Sequence, residues 1–350
     1  MDRSSYFVAK KARFGSHPTQ EAVLELEEAG VRHFIDLTCP GERRVVPYIT
    51  RYEYIRFPIA DHGVPSDIHA FTKLILAICK KIRHLRGKNK LYVHCKGGHG
   101  RSGIVVACVL CHLYQIPPKE ALHLTTSYHY HRVEMKEKWR RIGSPQTSEQ
   151  KSFVYNLFKP LFFSHGRSYG PTAGMSNFSI HSVEMPDLGL FPTSEAAFHA
   201  YKDPENARYV AKQRMSYSPY QAKNLGRSCS LREDWEEVKD EVMYRVLTAK
   251  FAQNADIRAN LLNTGLRPLI ERTPDSYWGS GRNGRGKNRL GKLLSRLRMH
   301  LYMGEAEHVE GDICVLDGPI AVPPPPKRSH SAHHHHHRRR RTRHHKNEKP

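Results

Sequence analysis

The segment His94-Cys95-Lys96-Gly97-Gly98-His99-Gly100-Arg101-Ser102-Gly103 places five residues, three of them glycine, between one thiol and one guanidinium. An apolar run, Leu91-Tyr92-Val93, precedes it, and a helix-like run over 104–114 follows, so the segment reads as strand, tight loop and helix. Gly97, Gly98 and Gly100 allow successive backbone N–H groups to turn inward as an anion-binding nest. The N-terminus of the next helix adds positive potential there. Both features favour thiolate over thiol at Cys95. Arg101 brings a planar fork matched to two oxygens of a tetrahedral anion. Ser102 stands where it can donate a hydrogen bond to the sulfur as it leaves. The implied chemistry is attack of sulfur on a phosphorus held in a cradle, and it requires no metal and no cofactor.

These residues resemble the His-Cys-x5-Arg-Ser/Thr signature of the cysteine-dependent protein tyrosine and dual-specificity phosphatases. The resemblance implies an α/β phosphatase fold, a central sheet flanked by helices, and a cysteinyl-phosphate intermediate. It also implies a general acid on a separate loop to protonate the leaving oxygen. Phe57-Pro58-Ile59-Ala60-Asp61-His62-Gly63-Val64-Pro65 offers Asp61, 34 residues before Cys95 and just ahead of a helical pattern, where the smaller dual-specificity members carry theirs. On this reading Cys95, Arg101 and Asp61 are catalytic, and His94, Lys96, Gly97, Gly98, His99, Gly100 and Ser102 bind substrate. His33-Phe34-Ile35-Asp36-Leu37-Thr38 resembles the buried strand that ends near the active site in this family, with Asp36 structural. Two placements are open for Lys96 and His99. Either they flank the phosphate and suit a substrate more anionic than a phosphotyrosine side chain, or they point to solvent.

A chain of 350 residues has room for two domains, each burying its own core. Before the cradle, apolar runs at 34–37 and 54–59 are broken by the turn signal Cys39-Pro40-Gly41, and Ile68, Phe71, Leu74, Ile75, Ile78 and Ile82 keep helical spacing. After it, Pro117-Pro118 marks a loop, 119–127 opens a helix, and 148–158 is an amphipathic candidate with Thr147 as its N-cap. Strands alternating with helices predict an α/β first domain over 1–163. Residues 164–175 carry three glycines and a proline and read as a linker. A second domain then occupies 176–304, and 305–350 forms a Pro-, His- and Arg-rich tail.

The second half has its own grammar. Phe191-Pro192-Thr193-Ser194-Glu195 leads into a helix-like run over 196–201, with Thr193 or Ser194 available as its N-cap, and a long helical run opens at Asp234-Trp235, with Val238, Val242, Val246, Leu247 and Phe251 in i, i+4 register. Residues 281–291 interleave glycines with basic residues but lack the G-x-x-x-x-G-K-S/T of a nucleotide loop. Three blocks together resemble the NADAR family, which includes N-glycosidases acting on riboflavin-pathway intermediates and on ADP-ribosyl adducts of nucleic-acid bases. They are Ser194-Glu195, Trp235-x2-Val238-Lys239-x2-Val242-Met243, and Asp275-x2-Trp278-Gly279-x-Gly281 with Gly284-x-Gly286-x-Asn288-x-Leu290-Gly291. The resemblance implies a mainly helical α+β domain. It makes Glu195 the catalytic carboxylate, Trp235 and Trp278 the aromatic walls for a base or sugar, Asp275 an assisting group, and Gly279 and Asn288 part of the binding set. Ala196 stands where members often have His, and Asn283 where many have Asp. The half is therefore read either as a second hydrolase on a phosphorylated nucleoside or ADP-ribosyl substrate, or as a binding module for such a ligand or for nucleic acid.

The net charge of +22 is uneven: residues 327–350 hold nine Lys/Arg against one acid, Glu348, and eight of the 24 histidines. Such a tail predicts disorder and electrostatic attachment to nucleic acid or another polyanion, or a solvated segment with no partner. The run His333–His337 reads as natural low complexity or as a cloning tag. Seven unevenly spread cysteines and no signal-peptide pattern point to a reducing intracellular compartment, cytoplasm or nucleus. No apolar stretch is long enough to cross a bilayer. Phosphorylated protein, phosphoinositide and nucleotide-derived molecules are all admissible substrates, and the oligomeric state is not legible.

Overall fold

The computed structural model describes residues 3–165 and 170–304. The chain begins with an antiparallel hairpin, β1 (Ser4–Val8) and β2 (Ala12–Ser16). Helix α1 (Gln20–Glu28) follows, with the Thr19 hydroxyl accepting from the Ala22 amide. Then come β3 (Val31–Asp36), β4 (Glu53–Arg56), α2 (Ile68–His84), β5 (Lys90–Cys95) and α3 (Arg101–Tyr114). Helices α4 (Pro118–Tyr130), α5 (Glu137–Ile142) and α6 (Ser148–Leu157) complete the first unit. The sheet order is β1-β2-β5-β3-β4, and β5 runs parallel to both neighbours. Register pairs Ser16 with Cys95 and Asp36 with His94, so three strands deliver their carboxyl ends to one edge. In open α/β sheets that edge is where ligands bind.

Burial explains the elements. Every α3 residue except His112 is buried, as expected of a helix apolar on all sides, and its N-terminus points back at the loop that leaves β5. Phe71, Leu74, Ile75, Ile78 and Ile82 of α2 face the same core. Ile68, first residue of that helix, stays exposed despite its spacing. Thr147 caps α6 as expected, in a capping box completed by Gln150.

In the second unit, β6 (Leu161–Phe163) pairs in parallel with β9 (Leu269–Glu271), and β7 (Val183–Met185) forms a hairpin with β8 (Gly189–Phe191). Around them lie α7 (Ser194–Ala200), α8 (Ala207–Arg214), α9 (Pro219–Leu225), α10 (Trp235–Gln253), α11 (Ala255–Asn263) and α12 (Arg289–Met303). Thr193, rather than Ser194, caps α7 by accepting from the Ala196 amide. The architecture is two domains, an α/β unit followed by a mainly helical α+β unit.

The expected boundaries shift. Residues 161–163, assigned from the sequence to the first domain, pair with β9 and pack into the second core. Of the expected linker, Met175 is fully buried in that core and the turn Gly170–Thr172 lies beside α11, while 166–169 fall outside the described residues. A Gly/Pro-rich composition marked a loop, but Thr172 and Met175 at its described end are buried. The tail, 305–350, also lies outside the described residues. The units touch: Tyr302 of α12 joins the first core, its ring 4.7 Å from His69. Among the described residues no helix is long and apolar enough to cross a membrane.

Candidate active sites

Strand β5 ends on Cys95, whose buried thiol lies 3.6 Å from the Ser102 hydroxyl at the start of α3. Residues 96–100, carrying Gly97, Gly98 and Gly100, turn sharply between them. Gly98 has φ +72°, and a Cβ there would stand 2.3 Å from the Gly15 carbonyl carbon, so only glycine lets the loop close against β2. Arg132, buried after α4, holds this turn in place: it donates to the Gly98 carbonyl at 2.8 Å and to the Phe14 carbonyl at 3.1 Å. Burial lowers its own pKa to about 10, which leaves it a cation at neutral pH behind the cradle.

Arg101 is enclosed, and its fork is taken up by Glu42, with Nη1 and Nη2 donating at 2.7 and 2.8 Å. Nη2 also donates to Asp61 Oδ1 at 2.9 Å, and Nη1 to the Ile59 carbonyl at 3.0 Å. Burial opposes the guanidinium charge most strongly, but the Glu42 hydrogen bonds together with the neighbouring negative charges, those of Glu42 and Asp61 among them, outweigh it and hold the pKa above its ordinary value. The same hydrogen bonds keep the Glu42 carboxyl below the usual carboxylate range. Asp61 is half exposed, so the carboxylate expected to act as acid reaches solvent and the guanidinium together. Its loop is anchored by Gln150, whose amide donates to the Gly63 carbonyl at 3.0 Å.

One expected substrate contact is enclosed beneath the loop, and another lacks the expected charge. His94 is fully buried beneath the loop, with Nε2 2.7 Å from the Tyr48 hydroxyl, and burial pushes its pKa down to about 3. It supports the strand end and cannot touch a substrate. His99 turns onto Trp139, stacked at 4.6 Å, and its Nδ1 lies 2.7 Å from Nε2 of His129. Burial brings its pKa to about 4, so it adds no positive charge. Lys96 keeps its ammonium, 3.9 Å from Glu42, and both it and His99 line a cavity of about 600 Å³ beside the loop, shared with Arg3, Lys136 and Trp139.

The second unit encloses a cavity of about 630 Å³ lined by Glu195, Trp235, Glu271, Asp275 and Trp278, with Lys202, Lys223, Arg227 and Lys239 also present. Phe198 connects the aromatic walls, its ring 5.1 Å from Trp235 and 5.3 Å from Trp278. Glu195, in the first turn of α7, lies 3.1 Å from His199 Nε2. The His199 ring is seated against Gly226, where a Cβ would come within 2.2 Å of Nδ1. Glu271 at the end of β9 is buried, and desolvation, joined by the neighbouring charges of Glu195 and Asp275, raises its pKa to about 8. Asp275 spends Oδ1 on the Tyr277 and Trp278 amides, each at 2.8 Å, which fixes the turn carrying the indole. Gly279 and Asn288 are not brought to the cavity. Gly279 is buried against Thr273, and Asn288 bridges β9 to α12, accepting from the Glu271 amide at 3.0 Å and donating to the Leu269 carbonyl at 2.8 Å.

Residues 2–154 match a family described as the Swiss Army Knife protein, DSP-PTPase phosphatase domain, and residues 161–302 match the NADAR domain. Protein 197R of Invertebrate iridescent virus 6, whose name calls it a tyrosine phosphatase, is 32% identical over 295 residues, covering 84% of this chain and 90% of its own. The chain belongs to this family, a phosphatase domain fused to a NADAR domain. The N-glycosidase YbiA of Escherichia coli is 43% identical over 143 residues, 40% of this chain and 86% of its own. The solved NMR structure of E. coli YbiA shares 38% identity, covering 44% of this chain and 92% of that chain, with a TM-score of 0.37.

Sequence reasoning missed Glu42, Arg132 and Gln150 in the phosphatase domain, and His199 and Glu271 in the NADAR domain. Glu42 lies 59 positions from Arg101, in a loop with no periodicity to mark it. Glu271 follows the apolar pair Leu269-Ile270 just before Thr273-Pro274, and a carboxylate closing a short apolar run was the one available signal. His199, four residues after Glu195, could have been found from helical spacing alone.

Proposed function

We propose that the chain is a two-site hydrolase: a cysteine-dependent phosphomonoesterase and an N-glycosidase for a phosphorylated nucleoside or ADP-ribosyl substrate. The observation that carries the first activity is the convergence of Glu42 and Asp61 on Arg101, at the mouth of the loop that bears Cys95. Cys95 sulfur attacks phosphorus as the P–O bond breaks, and Asp61 passes its proton to the departing oxygen. Water then attacks the cysteinyl-phosphate, giving a proton back to Asp61, while Ser102 donates to the sulfur that leaves. The loop amides hold the equatorial oxygens throughout, joined by Arg101 through its Nε–H and the Nη2–H that Asp61 gives up as it turns to the leaving oxygen.

In the NADAR domain, breaking the glycosidic C–N bond builds positive charge on the sugar carbon, which the Glu195 carboxylate opposes while it activates water. Glu271, protonated below about pH 8, supplies the proton that the departing nitrogen takes up. Turnover at this site therefore falls as pH rises through about 8, because the donor is lost there. A pH–rate profile of base release checks this, and Glu271→Gln is expected to be slow at every pH, with that alkaline limb gone. The departures at Ala196 and Asn283 favour a second reading, in which this domain binds an ADP-ribosyl or nucleic-acid ligand without cleaving it.

The test is a substrate screen of the full chain on phosphopeptides, phosphoinositides, 5′-phosphorylated RNA and ADP-ribosylated nucleic acid. Release of phosphate from one of the first three and of base or ADP-ribose from the last supports the two-site reading. Lys96→Ala is expected to lower turnover of polyphosphorylated substrates selectively, and equal losses on a small aryl phosphate contradict that role. For the basic tail, we expect nucleic-acid affinity to fall steeply with salt, with a slope of about −0.7 to −0.9 in log K against log salt per phosphate neutralised. Deleting residues 327–350 should flatten that slope and spare small-substrate hydrolysis; absence of nucleic-acid binding by the full chain at low salt removes this partner.

A further inference from the structure

We propose that His17, Asp36 and His94 form a binding site for one divalent first-row transition ion, zinc fitting best, beneath the phosphate-binding loop. The three residues lie at the carboxyl ends of β2, β3 and β5, and one ligand atom from each comes within 4.8 Å of the others. The His17 Nε2 faces the Val46 carbonyl at 2.8 Å. A carbonyl only accepts, so Nε2 carries the proton and Nδ1 of the neutral ring keeps its lone pair. Nδ1 of His94 stands 3.6 Å from Asp36 Oδ1, beyond hydrogen-bond reach. Both Nδ1 atoms are buried without a hydrogen-bond partner. Two imidazole nitrogens and a carboxylate oxygen thus face one another, and His94 Nδ1 offers its lone pair to an ion when Nε2 donates to the Tyr48 hydroxyl.

The surroundings are those of a built ligand set. Val46 orients the His17 ring, Tyr48 the His94 ring, and Thr38 and Tyr54 fix the Asp36 carboxylate through its two oxygens. Two imidazoles and one carboxylate suit zinc and its first-row neighbours better than magnesium or calcium, which prefer oxygen alone. His94 and Asp36 are fully buried while His17 is half-buried, which leaves His17 as the side of entry. The His17 amide donates to the Lys96 carbonyl at 3.2 Å, so a bound ion ties the three strand ends together under the loop. It takes no part in the phosphoryl steps.

The test uses the full chain with Cys95→Ser, so that the nucleophile cannot bind the probe. Zinc chloride is added during thermal denaturation, and Co2+ is added separately to read ligand-field absorption. An ion that binds only the folded protein raises Tm, by several degrees at a hundredfold excess over Kd. The expected result is such a rise together with a visible Co2+ band, both lost when His17→Gln is added. Glutamine can still donate to Val46, and the other cysteines and the tail histidines are common to both proteins. Hydrolysis of p-nitrophenyl phosphate by His17→Gln with Cys95 intact reports that the fold persists; if it does not, Asp36→Asn takes its place. Equal shifts in parent and variant overturn the site. So does the absence of any shift, which would mean that a proton on His94 Nδ1, facing Asp36, occupies the position instead.

Discussion

Cys95→Ser is expected to abolish phosphoester turnover while phosphate affinity is retained. Removing a covalent nucleophile costs roughly 10⁴–10⁶-fold in rate, and nothing else in the cradle changes. The loop amides, the Arg132 anchor on Gly98 and the Glu42–Arg101 pair all survive the loss of one sulfur. Asp61→Ala should lower kcat by roughly 10²–10⁴-fold, most on substrates with poor leaving groups, because protonation is then left to water. Arg101 stays fixed in that variant because Glu42 holds both of its terminal nitrogens. Stopped assays with an alkyl and an activated aryl phosphate read the difference directly. Similar losses on both substrates would mean that Asp61 positions Arg101 and does not donate a proton.

The second large effect belongs to Glu195→Gln. The amide matches the carboxylate in size and can keep the contact with His199, yet it neither opposes charge on the sugar carbon nor activates water. Release of base or ADP-ribose should slow by roughly 10²–10⁴-fold with ligand binding preserved. Ligand affinity measured beside turnover separates the two readings of this domain: unchanged turnover in Glu195→Gln makes it a binding module.

The sequence was most legible where function demands consecutive residues. The loop from Cys95 to Ser102 is contiguous, so strand, turn and helix could be placed from one segment. Helices α2, α3, α6 and α10 were equally visible, α3 as a continuous apolar run and the others from apolar residues at helical spacing. What escaped was built from distant parts. Glu42 matters only because the sheet brings its loop to Arg101, and Arg132 only because α4 ends behind Gly98. His99 looked like a loop cation, but an aromatic neighbour on α5 took its ring, a contact that spacing does not encode. The short strands β6 and β9, three residues each, were missed for a related reason: pairing between residues more than a hundred positions apart leaves little local pattern. Asn288 matched a family block faithfully, yet it serves the backbone of β9 and leaves the cavity to Glu271.

If one chain carries two independent hydrolytic sites, as proposed, phosphate release and base or ADP-ribose release are separable, and assaying both side by side in the intact chain, Cys95→Ser, Glu195→Gln and the double variant decides it. Each single change is predicted to remove one activity and leave the other at its original rate, with both absent in the double variant. Phosphate release that survives Cys95→Ser, or base release that survives Glu195→Gln, would contradict it.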